Sequence, residues 1–200
     1  MTLQYDDTFG TYAEALQTEE GVEALTDFVS DGDVPDDADD YLDTFNELGF
    51  IDRDAGETRD LGEYVVDMVD QYDDTEQVAT LFDTVQDELG VDVFNRVVDG
   101  EVVSMRDVAS DNDASPSEVR DRYDALEDAG FAEERPQGRR KKYKLTDDEG
   151  EQALDDLEEF ADQVDRYGAD DALDRIANRV GTVTEEQKDV TDNRVLDDYQ

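Results

Sequence analysis

The sequence predicts a mainly α-helical protein that carries one small antiparallel β-hairpin. Three observations predict it. Apolar residues recur at helical spacing in block after block, and several of these blocks stop at a glycine. Ser/Thr-x-x-Glu capping signatures open two of the later blocks. One run, residues 131–145, reads as two strands around a Pro-Gln-Gly turn.

The charge has to be reconciled with folding first. The 200 residues hold 60 Asp and Glu against 17 Lys and Arg, a formal net charge of −43. Leu, Ile, Val and Phe total 45 residues, just above the roughly 20% below which disorder is the default. The rival reading is adaptation to molar salt, where the Debye length falls to about 3 Å and carboxylates stop repelling one another. Thirteen of the bases are Arg and only four are Lys. Low Lys with abundant Asp resembles the proteomes of salt-in halophiles, notably halophilic archaea. The helical periodicity decides for a folded chain over residues 20–180.

Composition also removes chemistry. With no Cys, His or Trp there is no disulfide framework, no thiolate, no imidazole base or metal ligand, and no Ser-His-Asp triad. Asp6, Asp7 and Glu14 do not fit a secretory leader, and no apolar run nears the roughly 20 residues of a membrane span. A soluble, cytoplasmic, non-catalytic protein without a cofactor is expected.

The elements follow in order. Val22, Leu25, Phe28 and Val29 form one helical stripe. Tyr41, Leu42, Phe45 and Leu48 form the next, with Pro35 in the first turn and Gly49 as the stop. Leu61, Tyr64, Val65, Met68 and Val69 form a third. Val78, Leu81, Phe82, Val85 and Leu89 form the strongest, ended by Gly90. A short helix from Asp92 to Val98 ends at Gly100, and Glu101 to Val103 is a short strand. Ser104 caps a helix from Met105 to Ser110, and Asp111 to Ala114 is a turn. Ser115, Pro116 and Glu118 make a full capping box for a helix to Ala129, stopped by Gly130, with Val119, Tyr123 and Leu126 inward. Phe131 to Arg135 and Lys141 to Leu145 are strands joined by Pro136-Gln137-Gly138. Thr146 and Glu149 box the start of a long helix with Leu154, Leu157, Phe160, Ala161 and Val164 inward. Ala172, Leu173, Ile176 and Val180 suggest one more helix, and the polar tail from Gly181 lacks a stripe.

Charge is unevenly placed along this series. Residues 1–90 hold 28 acids and 2 bases, and residues 146–200 hold 19 acids and 5 bases. Residues 91–145 hold 13 acids and 10 bases, nearly neutral. Six of those bases, Arg135, Arg139, Arg140, Lys141, Lys142 and Lys144, fall in ten residues with no acid among them.

A helix, a short strand, a short helix, a turn, a capped helix and a basic hairpin make the winged helix-turn-helix layout. The run from Val108 to Thr146 resembles that of MarR-type and ArsR-type regulators. Val108, Ala109, Ser115, Val119, Ala125, Leu126, Ala129, Gly130, Phe131, Tyr143, Leu145 and Thr146 fall where that pattern expects them. The resemblance covers about residues 91–167. It implies a transcription regulator on double-stranded DNA, a homodimer reading two half-sites, with the Ser115–Ala129 helix in the major groove and the hairpin on the backbone. The DNA-contacting residues so implied are Ser115, Ser117, Arg120, Arg122, Arg135, Arg139, Arg140, Lys141, Lys142 and Lys144. The physics of the wing agrees, because Arg and Lys neutralise phosphates and release counterions. Arg120 suits a guanine edge. Against this, Asp121, Asp124 and Asp128 repel phosphates, and Asn112 stands where the family is apolar.

Other readings stay open. The basic run also suits pairing with the protein's own carboxylates, and the acidic helix suits a winged-helix module that binds proteins. A metal-dependent hydrolase rests on carboxylate abundance alone, and Asp111-Asn112-Asp113 lacks the glycine and distal Glu of a calcium loop. No effector pocket is legible. Tyr41 to Ile51 echoes Arg122 to Ala132, with a short hairpin around Ala55-Gly56 following. Two tandem winged-helix copies and a plain N-terminal helical domain both fit. The domains expected are residues 1–74, residues 75–167, and a C-terminal helix with a loose tail over 168–200.

Overall fold

In a computed structural model of the chain, the described residues are 3–31, 38–72, 74–137, 140–147 and 149–168. They are mainly helical, with two small antiparallel sheets. The order is α1 (Asp7–Ala15), α2 (Glu19–Asp31), α3 (Asp39–Leu48), β1 (Ile51–Asp52), β2 (Glu57–Thr58), α4 (Asp60–Tyr72), α5 (Thr75–Val85) and α6 (Glu88–Val98). Then come β3 (Val102–Val103), α7 (Met105–Asp111), α8 (Pro116–Asp128), β4 (Ala132–Gln137), β5 (Arg140–Leu145), α9 (Glu149–Gln163) and a π turn, Val164–Gly168. Strands β1 and β2 pair alone, and the second sheet has the order β3-β5-β4.

Most stripes read from the sequence are buried as expected. Val22, Leu25, Phe45, Val65, Phe82, Val119, Tyr123, Leu126, Leu157 and Phe160 lie in one core cluster. That core runs without a break from Leu3 to Val164 and so crosses the 74/75 position. Helix α5 is the shared element, packing on α1, α2 and α4 on one side and on α6 and α8 on the other. Helices α4 and α9 are also bound by polar contacts. The buried carboxylate of Asp156 accepts from Tyr72 Oη at 2.7 Å, Gln71 Nε2 at 3.0 Å and Gln152 Nε2 at 3.0 Å, and its carbonyl accepts from Tyr64 Oη at 3.0 Å. Three donors compensate a carboxylate that has left water.

Several local expectations need correction. Leu89 and Gly90 do not end the Val78 helix. The helix stops at Val85, and Asp87 caps α6, its carboxylate accepting from Gly90 N at 2.7 Å. Gly90 sits in that first turn because a Cβ there would collide with the Thr84 carbonyl. Ser104 holds the N-cap position of α7 but makes no side-chain cap bond. Pro136 and Gln137 are not turn residues, since they pair with Lys141 and Arg140 in the hairpin. Thr146 does not form a capping box with Glu149. Its N–H is used by the Phe131 carbonyl, and its hydroxyl accepts from Gly150 N at 2.7 Å. Pro35, Gly138, Arg139, the Ala172–Val180 stripe and the tail lie outside the described residues.

The order helix, helix, helix, hairpin, helix occurs twice, in α1 to α4 and in α6 to α9. The details match as well. Asp6 and Asp87 each cap the first helix. Gly49 and Gly130 each leave the third helix with positive φ, 89° and 83°, where an L side chain is strained. Phe50 and Phe131, each fully buried, come next. Their carbonyls face Gly62 and Gly150 in α4 and α9, where any Cβ would collide with the oxygen.

Candidate nucleic-acid interface

Helix α8 is fixed at its start by its own sequence. Ser115 Oγ accepts from Glu118 N at 3.2 Å, while Glu118 Oε2 accepts from Ser115 N at 2.7 Å. The Ser115 hydroxyl and then its backbone N–H hold the Glu118 carboxyl below the usual range, because both favour the ionised form. The preceding turn needs a left-handed residue, and Asp113 supplies it with φ 53°. Asn112, out of place as an apolar residue, acts as a bracket: its amide donates to Asp92 Oδ2 at 2.7 Å and to the Val108 carbonyl at 2.9 Å.

Arg96 extends that bracket. It donates from Nε to both Asp92 oxygens, at 3.1 and 3.0 Å, and pairs with Glu101 and Asp111 at 3.3 Å each. One guanidinium thereby joins α6, the approach to β3 and the end of α7. Sequence reasoning missed it; the Asp92–Arg96 spacing of four was the available signal.

The hairpin is locked onto α8 from inside. The rings of Tyr123 and Tyr143 stack with centroids 4.5 Å apart and an interplanar angle of 23°. Both side chains are fully buried, so helix and wing share one core contact. Tyr123 Oη has no hydrogen-bond partner among the described residues. Burial pushes its pKa up, since ionisation without solvent is costly.

Register assigns the outer face of the hairpin. Tyr143 and Leu145 point inward, so Lys142 and Lys144 lie on the other face of β5. Across the ladder, Lys144 stands opposite Glu133 and Lys142 opposite Arg135. The Lys142–Arg135 pair places like charges directly across from each other, which by itself destabilises a ladder, and the Glu133 carboxylate beside Arg135 offsets part of it. Arg135 Nε donates to Glu133 Oε1 at 2.8 Å, and Lys144 Nζ lies 3.4 Å from Asp147. Arg140 and Lys141 are placed in β5 by their backbones; Arg139 is outside the described residues.

The helix residues divide. Ser115, Ser117 and Arg120 are exposed. Arg120 forms no ion pair among the described residues, and the same holds for exposed Arg106 on the first turn of α7, which sequence reasoning also missed. Arg122 is different. Its side chain is 19% exposed and points to the junction of α5 and α6. Nη1 donates to the Asp83 carbonyl and lies 3.3 Å from Asp83 Oδ2, and Nη2 lies 2.8 Å from Asp87 Oδ2. Arg122 is thus a tie within the protein, not a member of the outer face. Asp121 and Asp128 are exposed on α8, and Asp124 is half-buried.

The equivalent hairpin of the first half has no spare bases. Arg53 pairs with Asp39 and with Asp43 at 2.6 Å, and Arg59 with Asp52 at 3.2 Å. The α9 stripe is used in the chain's own core, and the helix presents mostly carboxylates outward. Among the described residues, no group of three or more acidic side chains is placed to hold a metal ion, and no helix is long and apolar enough to cross a membrane. Comparison with family models, with curated proteins and with solved structures gives no match.

Proposed function

We propose that this chain is a winged helix-turn-helix DNA-binding transcription regulator without catalytic activity. The observation that carries the reading is the hairpin: a basic outer face, with Lys142 set against Arg135, stacked through Tyr143 on a capped helix whose Ser117 and Arg120 face outward. Strand order β3-β5-β4 behind α6, α7 and α8 is the arrangement that layout requires. The wing neutralises phosphates, and Ser115, Ser117 and Arg120 meet the groove. The first half is a second copy of the same unit, with its bases paired internally. It contributes packing, not DNA contacts.

Replacing Arg139, Arg140, Lys141 and Lys142 by Ala tests the wing. Fluorescence anisotropy on genomic fragments in concentrated KCl should show weaker binding across all sequences, because phosphate contacts carry no sequence information. Unchanged binding by the quadruple variant would falsify the assignment. A homodimer with two half-sites would have to pair through a surface other than the α9 stripe; sedimentation with and without DNA measures it.

A second reading has its own observation. Exposed Asp121 and Asp128 on α8 suit a winged-helix module that docks basic proteins. Absence of any retarded fragment at micromolar protein supports that reading over the first.

A further inference from the structure

We infer, resting on the DNA-binding reading, that one chain engages one unrepeated DNA half-site: the pairing of two winged units is made inside the chain, and only the second unit carries a DNA face. Helices α4 and α9 are counterparts, each following its unit's hairpin and each with a first-turn glycine set against a phenylalanine carbonyl. They pack on each other, and Asp156 of α9 accepts hydrogen bonds from Tyr64, Gln71 and Tyr72 of α4. With α5 they place both units in one core that runs from Leu3 to Val164. One chain thus already holds two units in a fixed relation, which is what dimerisation supplies to a regulator with a single unit.

The third helices of the two units align from their stop glycines, Gly49 and Gly130. Ala38, Leu42 and Phe45 are buried at the first, as are Val119, Tyr123 and Leu126 at the same steps of the second. Asp40, Asp43 and Glu47 match Asp121, Asp124 and Asp128 in charge. One outward step differs: ten residues before the glycine, α8 has Arg120 and α3 has Asp39. Arg120 is exposed and forms no ion pair among the described residues, whereas the Asp39 carboxylate takes Arg53 of its own hairpin. The hairpins differ in the same sense. Strands β1 and β2 have two residues each, and Arg53 and Arg59 are tied to Asp43 and Asp52. Strands β4 and β5 have six each and carry Arg135, Lys142 and Lys144. A duplex laid on the first unit would meet exposed Asp39, Asp40, Asp43 and Glu47. Carboxylates neutralise no phosphate and release no counterion, so that face adds nothing to affinity.

The test is selection by the full chain, in concentrated KCl, from random-core duplexes of about 30 base pairs, long enough for two half-sites one helical turn, about 10 base pairs, apart. The chain is then sedimented with the recovered duplex. An unrepeated motif and one chain per duplex are expected. Arg53→Ala should leave affinity for the recovered duplex unchanged, while Arg120→Ala lowers it about tenfold, both variants being folded by circular dichroism at the assay temperature. An inverted repeat at that spacing, two chains per duplex, or a loss from Arg53→Ala equal to that from Arg120→Ala would overturn the inference and leave the DNA-binding reading standing. Recovery no better than that by the quadruple wing variant would remove that reading and the inference with it.

Discussion

Replacing Arg122 by Ala separates the two roles an arginine on α8 can have. The guanidinium contacts one carbonyl and two carboxylates, Asp83 and Asp87. Asp87 is also the cap of α6, so the change loosens α8 from the α5–α6 junction and disturbs a helix start. A charge-assisted hydrogen bond contributes about 1.5–3 kcal/mol. The partners here are 47% and 46% exposed and can rehydrate, so the loss stays below the roughly 3–5 kcal/mol of a fully buried broken pair. About 2 kcal/mol is expected, which for a chain of this size lowers Tm by about 4–8 °C. The assay is a thermal melt by circular dichroism beside DNA anisotropy measured well below Tm. Arg120→Ala should do the reverse, leaving Tm within about 0.5 kcal/mol of unchanged stability while weakening DNA binding. If Arg122→Ala kept its Tm and lost DNA affinity, the structural role would be refuted and the groove-contact role restored.

Four other outcomes follow from the same geometry. Ser115→Ala should cost about 1 kcal/mol. Because Glu118 is held below its unfolded pKa, its contribution is complete above that unfolded value, about 4.3, and is lost as pH falls through the lower folded value; melts from neutral to acid pH should therefore narrow the gap between the wild type and Ser115→Ala, leaving the part that the Glu118 N–H bond to Ser115 Oγ contributes. Gly62→Ala and Gly150→Ala should each destabilise by about 1–3 kcal/mol despite the better helix propensity of Ala, because each Cβ meets a phenylalanine carbonyl; unchanged denaturant midpoints would count against the close approach. Asp156→Ala strands the Tyr72 hydroxyl and two glutamine amides and should cost about 2–4 kcal/mol in urea unfolding. Lys142→Ala with Lys144→Ala should flatten the plot of log affinity against log salt by about 0.9 per phosphate contact removed; an unaltered slope would take these lysines off the DNA.

Helix α8 shows what was legible in one dimension. Its cap, first-turn proline, core stripe and terminal glycine all lie within 16 residues, and each acts on its own neighbours. The hairpin was legible for the same reason, although its turn was placed too early: Pro136 pairs with Lys141 across the ladder. Gly90 misled because a glycine after an apolar stripe reads as a stop, whereas here it admits the Thr84 carbonyl. Arg122 could not be sorted from the wheel alone, since Asp83 and Asp87 lie 39 and 35 residues away.

What the sequence determined by itself is therefore local: the helices and most of their boundaries, the capping box at Ser115, the basic strand pair, and the concentration of acid outside residues 91–145. These depend on periodicity, capping and charge, which act over a few residues. The tertiary structure decided which bases remain outward. It withdrew Arg122, Arg53 and Arg96 into ties between elements, left Arg120 and Arg106 exposed, and set Lys142 across from Arg135. It also joined both halves through α5 and Asp156 into one core. Ion pairing and burial are contests among distant groups for the same few positions, and only the folded chain settles them.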